Sequence, residues 1–448
     1  MIAPILARRS AAGFWAAVLL TGAGTGLAAA ALTGLLELVQ HLAWGGAGLD
    51  LLQAAKADAP WRHVAILVGA GVLTGAGQLL LTRLPAANGI DITEAIWFHA
   101  GRLPAWRTLA SATLSVVVVG MGAALGREGA PKQAGAVVAN ALSDRVHLLG
   151  VRLLDEQRQL LVACGAGAGM AAAYGVPLGG ALFALEVLRG ALALRFVLPA
   201  LVTALVATGV SWLFLPDAPT YAIPAYPGSV SATLWALPAG VAVGLASVGY
   251  VRAVAWADAN RPRGWRRLVA PVLVLGALGV LSVVRPEVLG NGRDVAELAF
   301  LGQVAPPLLG VLLVLRPLAT VLCLGSGTPG GLFTPSLAFG AMLGGMLGAP
   351  WAWMWPGVPA GLFALVGAAA MLAATTQGPV SAVVLIMELT GYARGAILPL
   401  LLAVAVATLV ARTIEPRSIY DARLSDAEVR QRHQARDHGP EGGQPHVA

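Results

Sequence analysis

Apolar runs of unequal length, broken by glycine and proline, recur from about Ala11 to about Ala411 and leave no stretch long enough for a separate soluble domain. A chain that is 57% hydrophobic and only 11% charged is far from a soluble globular profile. In hydrocarbon the backbone polar groups must be paired inside the protein, and continuous helices do this within one segment. The runs Ala11–Ala43, His63–Leu84, Leu192–Leu215 and Ala232–Asp258 can each cross a bilayer core of about 30 Å. Five others are too short to cross: Gln133–Val146, Leu160–Ala173, Leu178–Leu188, Leu332–Leu347 and Val380–Leu389. Half-length helices ending at membrane depth persist only where protein or water takes up their free backbone groups. The expected fold is an all-α polytopic membrane protein with many tilted and half-length helices. His41–Ala59 and Pro216–Ser231 read as outer loops, and Asp421–Ala448 as a polar, disordered tail.

The excess of seven positive charges is a topology signal. Arg8 and Arg9 precede the first span, Arg261, Arg263, Arg266 and Arg267 share one loop, and a third group runs from Arg417 to Arg436. The positive-inside rule puts all three, and both termini, in the cytoplasm. These charges flank spans and lack interleaved aromatics, which argues against nucleic-acid binding. Arg8-Arg9-Ser10 is faintly like a secretion signal, but the apolar run continues to about Val39, so an uncleaved first helix is expected. Cys164 and Cys323 lie in apolar segments and read as packing residues. Neither a cofactor nor a metal is expected, and the motifs of an intramembrane enzyme are missing from the sequence.

An internal repeat organises the chain. The segment Ala87–Glu94 matches Gly290–Glu297 at an offset of 203, and Pro177–Glu186 matches Pro379–Glu388 at 202. Gly129 matches Gly331 at that same spacing. The span before the first Asn-Gly runs inward from His63, whereas the arginine cluster at 261–267 starts its counterpart inside. The halves, about 11–216 and 232–411, are therefore expected in opposite orientation, the inverted-repeat plan of secondary transporters. Such folds bind their ligand near the midplane, where the repeats meet.

One residue then stands out. Glu128 sits in Gly126-Arg127-Glu128-Gly129, next to the apolar run Leu114–Leu125. An ionised carboxylate at that depth costs at least about 2.5–3.5 kcal/mol, so it must line a wet cavity, find a partner or protonate. The plainer reading is mutual neutralisation with Arg127 at a helix end. A second feature is Gly330-Gly331-Leu332-Phe333, which opens a helix. Unpaired amides and the dipole at such a start can hold an anion without a trapping cation. Close helix packing would equally well explain the glycine pair taken alone.

Gly126-Arg127-Glu128-Gly129, the run Gly327–Pro335 and the tyrosine of Arg417-Ser418-Ile419-Tyr420 together resemble the CLC family of chloride channels and anion/proton exchangers. The likeness covers about Gly22 to Tyr420 and implies a homodimer, each subunit with its own pathway for chloride or another small anion. It implies that the Leu332 and Phe333 amides and the Tyr420 hydroxyl hold a central anion. The amides of Arg127, Glu128 and Gly129 would surround an outer one. The Glu128 side chain would be the gate and, in exchangers, the carrier of the proton. A bacterial plasma membrane is the expected location. Only 28 residues follow Tyr420, too few for the nucleotide-binding modules of some members.

Four departures qualify the pattern. Asn88 stands where the family commonly has a serine on the central anion, and its amide adds an acceptor as well as a donor. Asp91, mirrored by Asp294, replaces a usual proline and reads as a helix cap. Ala130-Pro131-Lys132 displaces another proline; Lys132 either adds positive potential or snorkels. Val187 occupies the place of the exchangers' inner proton glutamate, as in channel members. Its neighbour Glu186, mirrored by Glu388, reads as a structural acid, paired with Arg189 or capping backbone. Exchange through Glu128 is the first expectation and a passive channel the alternative.

Overall fold

The computed structural model describes residues 2–45, 50–84, 90–145, 153–391 and 394–424, with 427, 429 and 431; for residues 2–11 it describes backbone alone. The first half contains α1 (Ile2–Trp44), α2 (Leu51–Ala57), α3 (Pro60–Arg83), α4 (Ile92–Phe98) and α5 (Ala105–Gly120). It continues with α6 (Gly129–Arg145), α7 (Asp155–Tyr174), α8 (Pro177–Phe183) and α9 (Leu194–Ser211). The second half runs through α10 (Val230–Ala259), α11 (Arg266–Val284), α12 (Arg293–Phe300) and α13 (Pro306–Gly325). It closes with α14 (Phe333–Met354), α15 (Ala360–Thr376), α16 (Pro379–Leu389) and α17 (Ile397–Ile414). Among the described residues, eight helices are long and apolar enough to cross a membrane, and none belongs to a β-sheet. This is an integral membrane protein of the expected all-α class.

The two halves pack alike. α1 lies on α9 as α10 lies on α17, and α6 lies on α7 as α14 lies on α15. Their opposite orientation follows from the contacts between them. Gly71 of α3 meets Pro271 and Val272 of α11, Gly75 meets Leu268, and Gly279 meets His63 and Val64. Residue numbers rise on one helix as they fall on the other, so these counterparts are antiparallel. Small residues let the two backbones approach closely, as membrane helix pairs require.

The same inversion appears at α8 and α16, in a form hydropathy could not foretell. The Glu186 carboxylate accepts from the Val380 and Ser381 amides at 3.1 and 2.6 Å. Glu388 returns the arrangement, accepting from Leu178 and Gly179 at 3.0 and 2.6 Å. Each half thus caps the short helix of the other, supplying the acceptors that free N-terminal amides need in a buried place. Of the two roles expected for Glu186, capping is the one realised. Arg189 instead lies 3.9 Å from Glu156. Replacing Glu388 by alanine orphans the buried Gly179 amide, at about 1–3 kcal/mol, and frees the part-buried Leu178 amide. The expected result is a lower melting temperature of the detergent-solubilised protein; an unchanged one would show the cap to be dispensable.

Several boundaries move. α7 and α14 have 20 and 22 residues, longer than their apolar runs. α7 starts on Asp155 and Glu156, acids favoured in a first turn but invisible to hydropathy. α14 carries Pro350 inside it, a break tolerated where neighbours satisfy the freed carbonyl. The expected outer loop 41–59 contains α2, whose Leu52 amide donates to Asp294 at 3.0 Å. Asp294 therefore caps a helix other than its own, whereas Asp91 caps α4 through the Thr93 and Glu94 amides. The expected tail begins later than Asp421. Residues Asp421–Arg423 form a buried turn, with the Ser418 amide and hydroxyl donating to Asp421. Beyond 424 the expectation of disorder falls almost wholly outside the described residues. Cys164 and Cys323 are both buried and free.

Candidate functional site

The site is built where the loops before α6 and α14 meet. Gly126 and Gly331 exchange two backbone hydrogen bonds of 2.7 Å, an isolated antiparallel bridge between the halves. This bridge sets Glu128 against the first turn of α14. The Phe333 amide donates to one carboxylate oxygen at 2.5 Å, and the Thr334 hydroxyl to the other at 3.3 Å. A Cβ added at Gly126 or Gly331 would overlap the carboxylate, so both positions need glycine for the space it leaves. Glu128 has no exposed surface. The carboxylate occupies a helix N-terminus, where unpaired amides and the dipole favour negative charge.

Cavities lie to either side. One of about 540 Å³ is lined by Arg127, Glu37, His41, Arg293 and neighbours. The other, of about 370 Å³, is lined by Gly129, Lys132, Gly330, Gly331, Leu332 and Tyr420. Glu128 lines neither. Its chain neighbours line one each, Arg127 the larger and Gly129 the smaller.

Arg127 does not neutralise Glu128. Its guanidinium lies over the Tyr174 ring at 4.9 Å, and no ion pair joins the two among the described residues. Tyr174 shares a hydrogen bond of 3.1 Å with Thr334, so the groups that hold Arg127 and Glu128 are themselves linked. Tyr420 is positioned by the Ile419 amide, which donates to Thr375 at 2.7 Å, and by edge contact with Phe183. Its hydroxyl accepts from the Lys132 ammonium at 3.3 Å. Lys132 is buried and does not snorkel. Asn88 lies outside the described residues, while Asp91 lines the smaller cavity.

Of the expected residues, Glu128, Leu332 and Phe333 come together at the start of α14, with Gly129 and Tyr420 on the smaller cavity and Arg127 on the larger. Tyr174 and Thr334 were missed. Thr334 could have been noticed within the Leu332–Pro335 run; nothing local distinguishes Tyr174. Val187 is buried in the apolar core, and Glu186 is spent on its cap.

The sequence pattern of the voltage-gated chloride channel family matches residues 79–412. The chain belongs to that family. It is 34% identical over 414 residues to the voltage-gated ClC-type chloride channel ClcB of Citrobacter koseri, covering 88% of this chain and 95% of that one. The protein of the same name from Escherichia coli O81 is 35% identical over 420 residues, with the same coverage. The fold agrees with that of a slow cyanobacterial Cl⁻/H⁺ antiporter, at a TM-score of 0.79 and 22% identity, covering 94% of this chain and 99% of that one. A CLC-type fluoride/proton antiporter matches with a TM-score of 0.73 and 20% identity, covering 92% and 97%. The family's inverted repeat is thus this chain's architecture.

Proposed function

We propose that the protein carries chloride or a similar small anion across a membrane in exchange for protons, with Glu128 as gate and proton carrier. The observation that carries this is a buried carboxylate hydrogen-bonded to the first amide of α14, between two cavities. A carboxylate there behaves as a tethered anion. While ionised it holds the Phe333 amide by a charge-assisted bond, and on protonation that advantage is lost. A mobile anion can then take the amide, and the protonated side chain can swing away with its proton. The central anion would be held by the Leu332 and Phe333 amides, the Tyr420 hydroxyl and Asn88, the outer one by the amides around Arg127 and Gly129. Several moderate sites in series suit rapid passage.

The reading includes a homodimer in a bacterial plasma membrane, both termini cytoplasmic. Leu198 and Leu205 on α9, with Leu401 and Leu409 on α17, leave apolar surface for lipid or a second subunit. Passive conduction is the second reading, and Val187 favours it: where exchangers of the family carry an inner acid, this chain has a buried valine. Paired chloride and proton flux from purified protein in liposomes separates the two. Uphill proton movement driven by a chloride gradient, with voltage clamped, is the expected result; chloride flux with no proton movement would leave Glu128 a gate only.

A further inference from the structure

We propose that the Lys132 ammonium, beside the Tyr420 hydroxyl, is a direct ligand of the transported anion; this rests on the anion-transport reading above. Lys132 is only 5% exposed. It lies on α6, one turn after Glu128. Its Nζ is 3.3 Å from the Tyr420 hydroxyl, 4.6 Å from the centre of that ring and 5.1 Å from that of Phe183. The stem is folded inward, onto the smaller cavity.

An ammonium has three donors. Among the described residues only Tyr420 accepts one of them. Glu128 is bound by Phe333 and Thr334, and Asp91 caps α4. Arg423 and Arg261, which would repel the amine, are both tied to Asp258. Of the other charged groups on this cavity, Glu94 lies 3.1 Å from His99, and Arg107 shares the lining. Arg316, a comparably buried cation, shows the ordinary solution: it donates to the carbonyls of Glu287, Leu289 and Gly290. Among the described residues Lys132 has no such set. The aromatic faces stabilise its charge but accept no conventional hydrogen bond. Lys132 lines a cavity whose other lining includes Gly330, Gly331 and Leu332, the approach to the first amides of α14. The partner that completes this environment is a small inorganic anion.

A full cation deepens the well that amides alone would make. The anion is held more tightly and leaves more slowly, the opposite of what fast conduction favours. Chloride binding to purified protein should be followed by calorimetry, and chloride flux measured in liposomes, for the parent, Lys132→Met and Lys132→Arg. The methionine variant is expected to bind chloride about tenfold to a hundredfold more weakly, or about 1.4–2.8 kcal/mol. Its maximal flux at saturating chloride should rise, and arginine should restore tight binding. Lys132→Gln serves as the neutral variant should methionine not fold. Parent-like chloride affinity in a folded neutral variant, with the parent transporting normally, would overturn this inference alone. A parent that neither binds nor moves chloride or nitrate would overturn the transport reading and this inference with it.

Discussion

Replacing Glu128 by glutamine is expected to leave anion flux running while removing its pH dependence and all coupled proton movement. The Glu128 carboxylate accepts from the Phe333 amide, and on the proposed reading it competes there, while ionised, with the mobile anion. Charge-assisted bonds of this kind are roughly twice as strong as neutral ones. Lowering the pH neutralises the competitor, so parent flux should rise as pH falls. Glutamine matches the shape but neither carries charge nor titrates, and its amide adds a donor where the site already presents donors. Flux through the variant should therefore be nearly independent of pH. Chloride efflux from liposomes, with a proton-sensitive dye recording the second ion, measures both effects. Retained pH dependence would sink the gate assignment, and retained proton movement would sink the carrier role.

Phe333→Pro should be far more damaging than Phe333→Ala, an ordering that side-chain chemistry alone would not suggest. On the proposed reading the group at work is the Phe333 amide, which donates to Glu128 and which only proline deletes. Phe333 is the first residue of α14, where proline's fixed φ is compatible with a helix. A hydrogen bond to a charged group contributes about 1.5–3 kcal/mol, so losing it implies roughly a tenfold to hundredfold loss of anion affinity or flux. Alanine keeps the amide and removes a buried ring packed 6.4 Å from Tyr174. It should cost stability and leave flux within a few-fold. Equal damage from both variants would mean that the side chain, not the backbone, forms the site.

Much of this arrangement is legible along the chain. Apolar runs announce the membrane, the paired Asn-Gly-x-Asp segments announce the repeat, and Glu128 is conspicuous as an acid beside a long apolar run. The failures share a cause. α2 hides in a stretch with little hydropathy signal and is capped by Asp294, 242 positions away. The mutual caps of Glu186 and Glu388 cross from one half to the other over about 200 residues. For Lys132, burial and snorkelling predict the same local sequence; only the positions of Tyr420 and Phe183 distinguish them.

The sequence by itself determined the solvent, the helical class, the two-fold internal plan and the few residues worth examining. These follow from transfer free energies and pattern, which are summed along the chain and need no partner. Tertiary structure alone decided that Glu128 closes on the Phe333 amide, 205 residues distant, that Arg127 turns away to Tyr174, and that Lys132 faces a cavity. Hydrogen bonds and ion pairs depend on separations of tenths of an ångström, and between the two halves such separations exist only once the antiparallel helices have packed.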